Sequence, residues 1–242
     1  MIFRPFYVYA SGCASYVFDC GGLGKCAIVD PRDDLVDDYV AFAAAKGMAI
    51  THVFETHVHA DHRSGGRRLS ALTGAQHCLH RSANVEFDFV AVDDDDVIVL
   101  GNTTVRVLHT PGHTPEGVSL VVSDLRRGPA PWFVCTGDTL FVGAVGRPDL
   151  PGDTANNVRQ LQASLQKLRA LEPTVEVYPA HFGGSACGQG LSGKPCSTIG
   201  FETRFNPLLS ADVDALGAAL ADVAARPADI DAIVAFNRGV GP

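Results

Sequence analysis

Three histidines and one aspartate lie within six positions of this chain, as His57, His59, Asp61 and His62. Imidazole and carboxylate groups are common protein ligands of transition metals such as zinc and iron. An apolar, β-prone run at 50–54 precedes the cluster, which predicts that the cluster lies in the loop after a strand. Loops that a rigid sheet positions are frequent locations of binding and catalytic residues. The cluster therefore favours a metal site over a polar surface loop.

Three further metal-competent residues, His113, Asp138 and His181, each follow a β-prone run later in the chain. Two histidines and one carboxylate can bind one face of a metal ion and leave positions open for a substrate and a small oxidant. If all seven residues are ligands, two metal ions about 3.5–4 Å apart can fit and produce a hydroxide for hydrolysis. The ligand inventory permits both arrangements and does not choose between them.

The elements that must position these residues are short strands alternating with helices. Strands are predicted at 6–10, 15–19, 27–30, 97–100, 105–108, 118–122 and 132–135, and Gly101-Asn102 predicts a hairpin turn. Helices are predicted at 33–46, from about His62 through Leu72, at 156–171 and in the Ala-rich tail 211–225. This periodicity alone indicates a mixed α and β fold.

Composition limits the classes of protein that remain. The 242 residues suit one or two domains, and 46% hydrophobic residues suit a globular protein. No apolar run reaches the roughly 18 residues of a membrane span, and the net charge of −8 disfavours a nucleic-acid surface. Seven scattered cysteines, an odd number, favour a reducing cytoplasm over secretion.

The order His-x-His-x-Asp-His, lone His, Gly-Asp, lone His resembles the motif set of the metallo-β-lactamase superfamily. The resemblance covers about residues 5–205. It implies an αββα sandwich, in which two mixed β-sheets are flanked by helices. It also implies one such domain over 1–242, with a short C-terminal helical tail.

The run 136–149 is similar to the persulfide dioxygenase branch of that superfamily, in which Gly-Arg, a small or rigid residue and Asp follow the metal aspartate. Glyoxalase II is similar up to Arg147, then has aromatic residues and Glu, and carries a larger C-terminal helical domain. The dioxygenase resemblance implies one Fe(II) per chain, bound by His57, His113 and Asp138. It implies that Arg147 holds an anionic substrate. The neighbouring residues His59, Asp61, His62 and His181 become supporting or alternative ligands, and Asp61 and His62 are catalytic candidates with Arg147.

The implied reaction oxidises a low-molecular-weight persulfide with O2 to sulfite and the free thiol. The carrier is glutathione or another thiol, and both a separate rhodanese partner and a homodimer are left open. The alternative is a zinc hydrolase of the glyoxalase II or thioesterase type, with one or two Zn(II). A non-catalytic binding protein is disfavoured, because none of the metal-competent residues of the motif set is missing.

A glycine-rich loop at 183–200 departs from the short glutathione-persulfide enzymes. It resembles the loop of bacterial persulfide dioxygenases that are often fused to rhodanese domains. Its position after His181 predicts that it lies at the mouth of the site. Cys187 and Cys196 could carry sulfur or form a disulfide, but ordinary loop cysteines are the favoured interpretation. Cys13 is predicted to be a small core residue, and Glu116 is expected to alter the turn after His113.

Overall fold

The computed structural model describes residues 1–20, 22–150, 152–185, 187, 190–221 and 229–240. These residues form two mixed six-stranded sheets. The first sheet contains, in spatial order, β1 (Phe3–Val8), β2 (Cys13–Asp19), β3 (Lys25–Val29), β4 (Ala49–Phe54), β5 (Gln76–His80) and β6 (Val90–Val92). The second contains β7 (Val97–Leu100), β8 (Thr103–His109), β9 (Val118–Asp124), β10 (Phe133–Gly137), β11 (Glu176–Pro179) and β12 (Ser197–Thr198).

Helices connect and cover these strands. They are α1 (Val36–Ala45), α2 (Gly66–Thr73), α3 (Thr154–Arg169), α4 (Ile199–Phe205), α5 (Val213–Ala219) and α6 (Ile230–Arg238). Two short 3₁₀ turns occur at Asp33–Leu35 and Pro207–Ser210. In the described ranges, no helix is both long and apolar enough to cross a bilayer.

Three buried apolar clusters lie between four layers of secondary structure, in the order helices, sheet, sheet and helices. Side chains such as Phe18, Phe54 and Leu120 pack between the two sheets. Tyr39 and Leu69 pack α1 and α2 against the first sheet, and a separate cluster packs α3 and α5 against the second. This arrangement confirms the predicted αββα sandwich, because each sheet buries one face against the other and its second face under helices.

Several local predictions need correction or extension. The hairpin is confirmed, since Leu100 pairs with Thr103 and leaves Gly101 at φ +58° in a two-residue turn. The helix predicted through Leu69 and Leu72 is confirmed as α2, but its predicted start near His62 is wrong, because α2 begins only at Gly66. The backbone before it is bonded elsewhere: the Ser64 amide donates to the side chain of Asn237 at 2.7 Å. Part of the predicted 211–225 helix is α5, and residues 222–228 lie outside the described residues.

Candidate metal centre

The predicted ligands all follow strands that end at one edge of the sandwich. Residues 55–65, here called the metal loop, join β4 to α2 without regular secondary structure of their own. His113 lies in the connection from β8 to β9, Asp138 directly follows β10, and His181 follows β11. The fold thus brings residues from both sheets to the same place.

His57, His113 and Asp138 form a compact triad, in which one ligand atom of each lies within 4.8 Å of the others. His57 Nε2 and His113 Nε2 lie 3.8 and 3.4 Å from Asp138 Oδ2. All three side chains are buried. Their grouping is the one that the dioxygenase resemblance implies for a single iron.

In each triad residue, the ring nitrogen or carboxylate oxygen that faces away from the other two residues contacts a neighbouring group. His57 Nδ1 lies 3.0 Å from Thr56 Oγ1, and His113 Nδ1 donates to the carbonyl oxygen of Arg147 at 2.9 Å. Asp138 Oδ1 accepts a 2.6 Å hydrogen bond from His181 Nδ1. These contacts set ring orientation and leave the two Nε2 atoms and Asp138 Oδ2 to face one another.

Asp61, His62 and His181 form an adjoining cluster together with Cys13. Asp61 Oδ2 accepts hydrogen bonds from His181 Nε2 at 2.8 Å and from Cys13 Sγ at 3.2 Å, and His62 Nδ1 lies 3.1 Å away. His181 therefore connects the two clusters, with one ring nitrogen on each carboxylate. Cys13 is a buried residue of β2, as predicted, and its thiol in addition contacts a carboxylate of the metal loop.

Unsatisfied buried atoms indicate that these residues suit a metal ion. Within the described residues, His59 Nδ1, His62 Nε2 and Asp138 Oδ2 are buried and have no hydrogen-bond partner. A buried polar atom without a partner is costly, and a bound cation would satisfy such lone pairs. The donor set of nitrogen and carboxylate oxygen suits both iron and zinc.

Burial and neighbouring charges divide the histidines into two groups. Burial holds the pKa of His57 well below its ordinary value, and burial together with His62 lowers the pKa of His59 to about 3. Burial also acts on His62 and His181, but nearby carboxylates outweigh it. Asp61 raises the pKa of His62 to about 9, and Asp138 and Asp61 hold that of His181 well above its ordinary value. In the metal-free protein at pH 7, the rings of His57 and His59 are thus neutral, and those of His62 and His181 carry protons.

The acidic groups respond to the same histidines. Burial opposes ionisation of Asp138, but His181 and His57 outweigh it and hold the pKa of Asp138 well below its usual range. For Cys13, burial is outweighed by hydrogen bonds from His181 and His62, which lower the pKa to about 7. Asp138 is therefore a carboxylate at neutral pH, the form that binds a metal ion.

Other carboxylates that the sequence analysis did not assign hold the metal loop in place. The Thr56 amide donates to Asp30 Oδ1 at 2.7 Å, and the Val58 amide donates to Glu116 Oε1 at 2.9 Å. Asp30 directly follows the buried strand β3, and this pattern of an acid after an apolar run could have identified it. Glu116 holds the metal loop through a bond that the sequence does not reveal, and its effect on the turn after His113 stays a prediction.

The segment after Asp138 is built around Gly146. A Cβ atom at Gly146 would collide with the carbonyl oxygen of Asp138, so only glycine allows this approach. The next residue, Arg147, is 4% exposed, and its guanidinium forms a two-point ion pair with Asp149 at 2.7 and 2.8 Å. Its predicted contact with an anionic substrate stays a prediction.

Of the two cysteines in the 183–200 loop, Cys187 lies at the metal centre. Its Sγ is within 4.8 Å of ligand atoms of Asp138 and His181, and burial raises its pKa to about 12. Cys196 is partly exposed, and both cysteines are free thiols, so the structure contains no disulfide between them. The 183–200 loop thus reaches the metal centre through Cys187.

A cavity of about 320 Å³ borders the metal loop on its other side. Val58 and Ala60, Thr114 and Glu116, and side chains of α6 line it. These residues alternate with or follow the proposed ligands along the chain. The cavity is a candidate space for a substrate next to the metal loop, and the side chains of the triad are not part of its lining.

A family model and a similar solved structure both indicate the same protein family. The model of the metallo-β-lactamase superfamily matches residues 8–181. A metallo-β-lactamase from Staphylococcus aureus is similar in structure, with a TM-score of 0.91 and 32% identity, over 98% of this chain and 72% of that chain. ETHE1 from Myxococcus xanthus is similar with a TM-score of 0.85 and 30% identity, over 98% of both chains.

The chain is also similar to a protein that is named as a hydrolase. Hydroxyacylglutathione hydrolase from Rhodospirillum rubrum is 31% identical over 171 residues, which is 69% of this chain and 60% of that protein. This chain thus spans less than two thirds of that relative.

Proposed function

The chain belongs to the metallo-β-lactamase superfamily, and from this membership we propose that it is an Fe(II)-dependent persulfide dioxygenase. The observation that carries the proposal is the triad of His57, His113 and Asp138, whose second atoms are each fixed by a neighbour. Two histidines and one carboxylate are the ligand set of many iron oxygenases with open positions. The resemblance of the run 136–149 to the persulfide dioxygenase branch also supports it, and the chain is similar to ETHE1 from Myxococcus xanthus over 98% of both chains.

The proposed reaction converts R-S-SH, O2 and H2O into R-SH and H2SO3. The terminal sulfur gains both oxygen atoms of O2 and loses its bond to the carrier sulfur. Water supplies the third oxygen, and the carrier leaves as the thiol. Iron, when bound, supplies the activation of dioxygen and of the sulfur that a protein side chain cannot provide.

The residues around the triad bind, orient and hold protons. His181 keeps a proton between Asp138 and Asp61, which fixes the free oxygen of Asp138 toward the triad. With a single metal ion at the triad, His181 supports the ligand Asp138 as a hydrogen-bond donor. Asp61 and His62 form a hydrogen-bonded pair in the adjoining cluster, and we assign them to proton transfer to the departing thiol.

The substrate carrier is proposed to lie in the cavity beside Val58 and Ala60. Its volume of about 320 Å³ is within the range of small-ligand sites. Glutathione persulfide is the first candidate, and the glutathione-derived substrate in the name of the R. rubrum relative is consistent with a thiol of this kind. A cytoplasmic location and a single domain over 1–242 remain predictions.

Metal content and oxygen uptake test the proposal together. The iron-loaded protein should consume one O2 for each sulfite formed from glutathione persulfide, and the zinc-loaded protein should consume none. Oxygen uptake no faster than the uncatalysed rate, with iron bound, would overturn the proposal.

A second candidate is a binuclear zinc hydrolase. The cluster of Cys13, Asp61, His62 and His181 adjoins the triad and offers a second set of donors. The similarity to hydroxyacylglutathione hydrolase also favours it. Rapid hydrolysis of a hydroxyacylglutathione by protein carrying two zinc ions, without oxygen uptake by the iron form, would favour this function.

A further inference from the structure

The metal loop depends on one side chain from the far end of the chain. Asn237, in α6, donates two hydrogen bonds through Nδ2, to the carbonyl oxygens of His59 and His62, each at 2.8 Å. Its Oδ1 accepts a 2.7 Å bond from the Ser64 amide. The residue is 7% exposed. One buried side chain thus satisfies three backbone groups of a loop that has no secondary structure of its own.

The chemistry of these contacts requires an amide. Two donors and an acceptor on one short side chain are found in asparagine, whereas aspartate cannot donate and leucine can do neither. The reversed amide would place its oxygen against two carbonyl oxygens, so the orientation is fixed by the partners. The Oδ1 atom and both N–H groups of the Asn237 side chain therefore each have a partner in the metal loop.

The helix that carries Asn237 is itself docked on the end of the metal loop and the start of α2. Arg67 Nη2 donates to the carbonyl oxygen of Phe236 at 2.7 Å. The Phe236 ring lies 4.7 and 4.9 Å from the guanidinium carbons of Arg63 and Arg67. The Glu86 amide donates to the Arg238 carbonyl oxygen at 2.7 Å. These contacts hold Asn237 in a defined position on the loop.

We propose that Asn237 is a positioning residue for the metal centre. By holding the backbone of the metal loop at His59 and His62, α6 sets the position of the ligand His57 on the same loop and so controls metal affinity. The inference rests on the metal site of the proposed function, but not on iron or on oxygen chemistry. Partners that orient metal ligands commonly change metal affinity 10–100-fold when removed. Loss of the two donated bonds should therefore weaken metal binding by this amount.

The test measures Co(II) binding, which needs neither O2 nor persulfide. Asn237→Ala and Asn237→Asp should each bind Co(II) about 10–100-fold more weakly than the unchanged protein in competition with a chelator. The visible absorption bands of the bound Co(II) should also shift, because the ligand geometry changes. Asn237→Asp retains the size of the side chain and the acceptor for Ser64, and it serves if the alanine variant does not fold.

Thr103→Val is the matched control, because it removes a buried hydrogen bond to the Asp19 carbonyl oxygen in another part of the fold. It should lower thermal stability while Co(II) affinity and absorption stay unchanged. Unchanged Co(II) affinity in folded Asn237 variants, or an equal loss in Thr103→Val, would overturn the inference. A protein without oxygenase activity whose Co(II) affinity still falls in the Asn237 variants would contradict the proposed function alone.

Discussion

At the residue scale, the triad and the adjoining cluster of Cys13, Asp61, His62 and His181 differ in which of their atoms are hydrogen-bonded. In the triad, the outer atoms of His57, His113 and Asp138 are bonded and the inner atoms face one another. In the second cluster, both ring nitrogens of His181 are bonded to carboxylates. His62 in the second cluster nevertheless has a buried Nε2 without a partner, so both clusters offer donor atoms to a metal ion.

From the triad and the dioxygenase-like run 136–149 we predict one iron per chain. Asp138→Ala should lose nearly all bound iron, because it removes a ligand whose lone pair has no other partner. His62→Ala should keep close to one iron per chain and lose about 10–100-fold in turnover, since it alters a supporting group. Elemental analysis of protein purified without oxygen checks both. Two metals per chain, with loss of metal in the His62 variant, would contradict the prediction.

Arg147 tests the substrate contact. Arg147→Ala should lower kcat/KM for a persulfide roughly 10–150-fold, mainly through KM, because one charge-assisted contact is worth about 1.5–3 kcal/mol. Iron should be retained, because the backbone carbonyl and not the side chain holds His113. Asp149→Asn is the control for the ion pair. An equal effect in that variant, or loss of iron, would assign Arg147 a structural role.

At the element scale, the 183–200 loop contributes a buried thiol beside Asp138 and His181. We predict that the loop helps to select the thiol carrier and does not perform the oxidation, because burial keeps the Cys187 thiol protonated at neutral pH. The Cys187→Ser, Cys196→Ser double variant should retain most of its oxygen consumption with a small persulfide. An oxygen electrode measures this, and the preference among larger persulfides should change. Complete loss of turnover with iron bound would show that a loop cysteine carries sulfur.

Local patterns predicted the strands before each ligand, because an apolar run that ends in His or Asp is a local property of the chain. They could not predict the role of Cys13, whose partner Asp61 lies 48 residues away. They also misplaced the start of α2, since the bond from Ser64 to Asn237 joins residues 173 apart. The αββα arrangement was predicted from the order of the motifs. The geometry of the metal loop depends on contacts between distant segments, which local patterns do not show.

At the scale of the whole molecule, the site makes stability depend on pH. Below about pH 6.5, the unfolded chain protonates histidines that the fold keeps neutral, namely His57 and His59, so stability falls as pH falls. Between about pH 7 and 9, His62 and His181 keep protons that the unfolded chain loses. Over the same range Cys13 loses a proton that the unfolded chain keeps, which offsets about one of these two.

The metal-free protein should therefore be most stable near pH 6.5–7. The folded state holds about one more proton than the unfolded state above that range, so the melting temperature should fall by about 5–10 °C from pH 7 to pH 9. Thermal unfolding of chelator-treated protein at pH 5–9 measures the curve. His181→Gln should flatten its alkaline side, because that variant has no proton to retain. A melting temperature that rises steadily from pH 7 to pH 9 would contradict the proton-holding role of His181 in the metal-free protein.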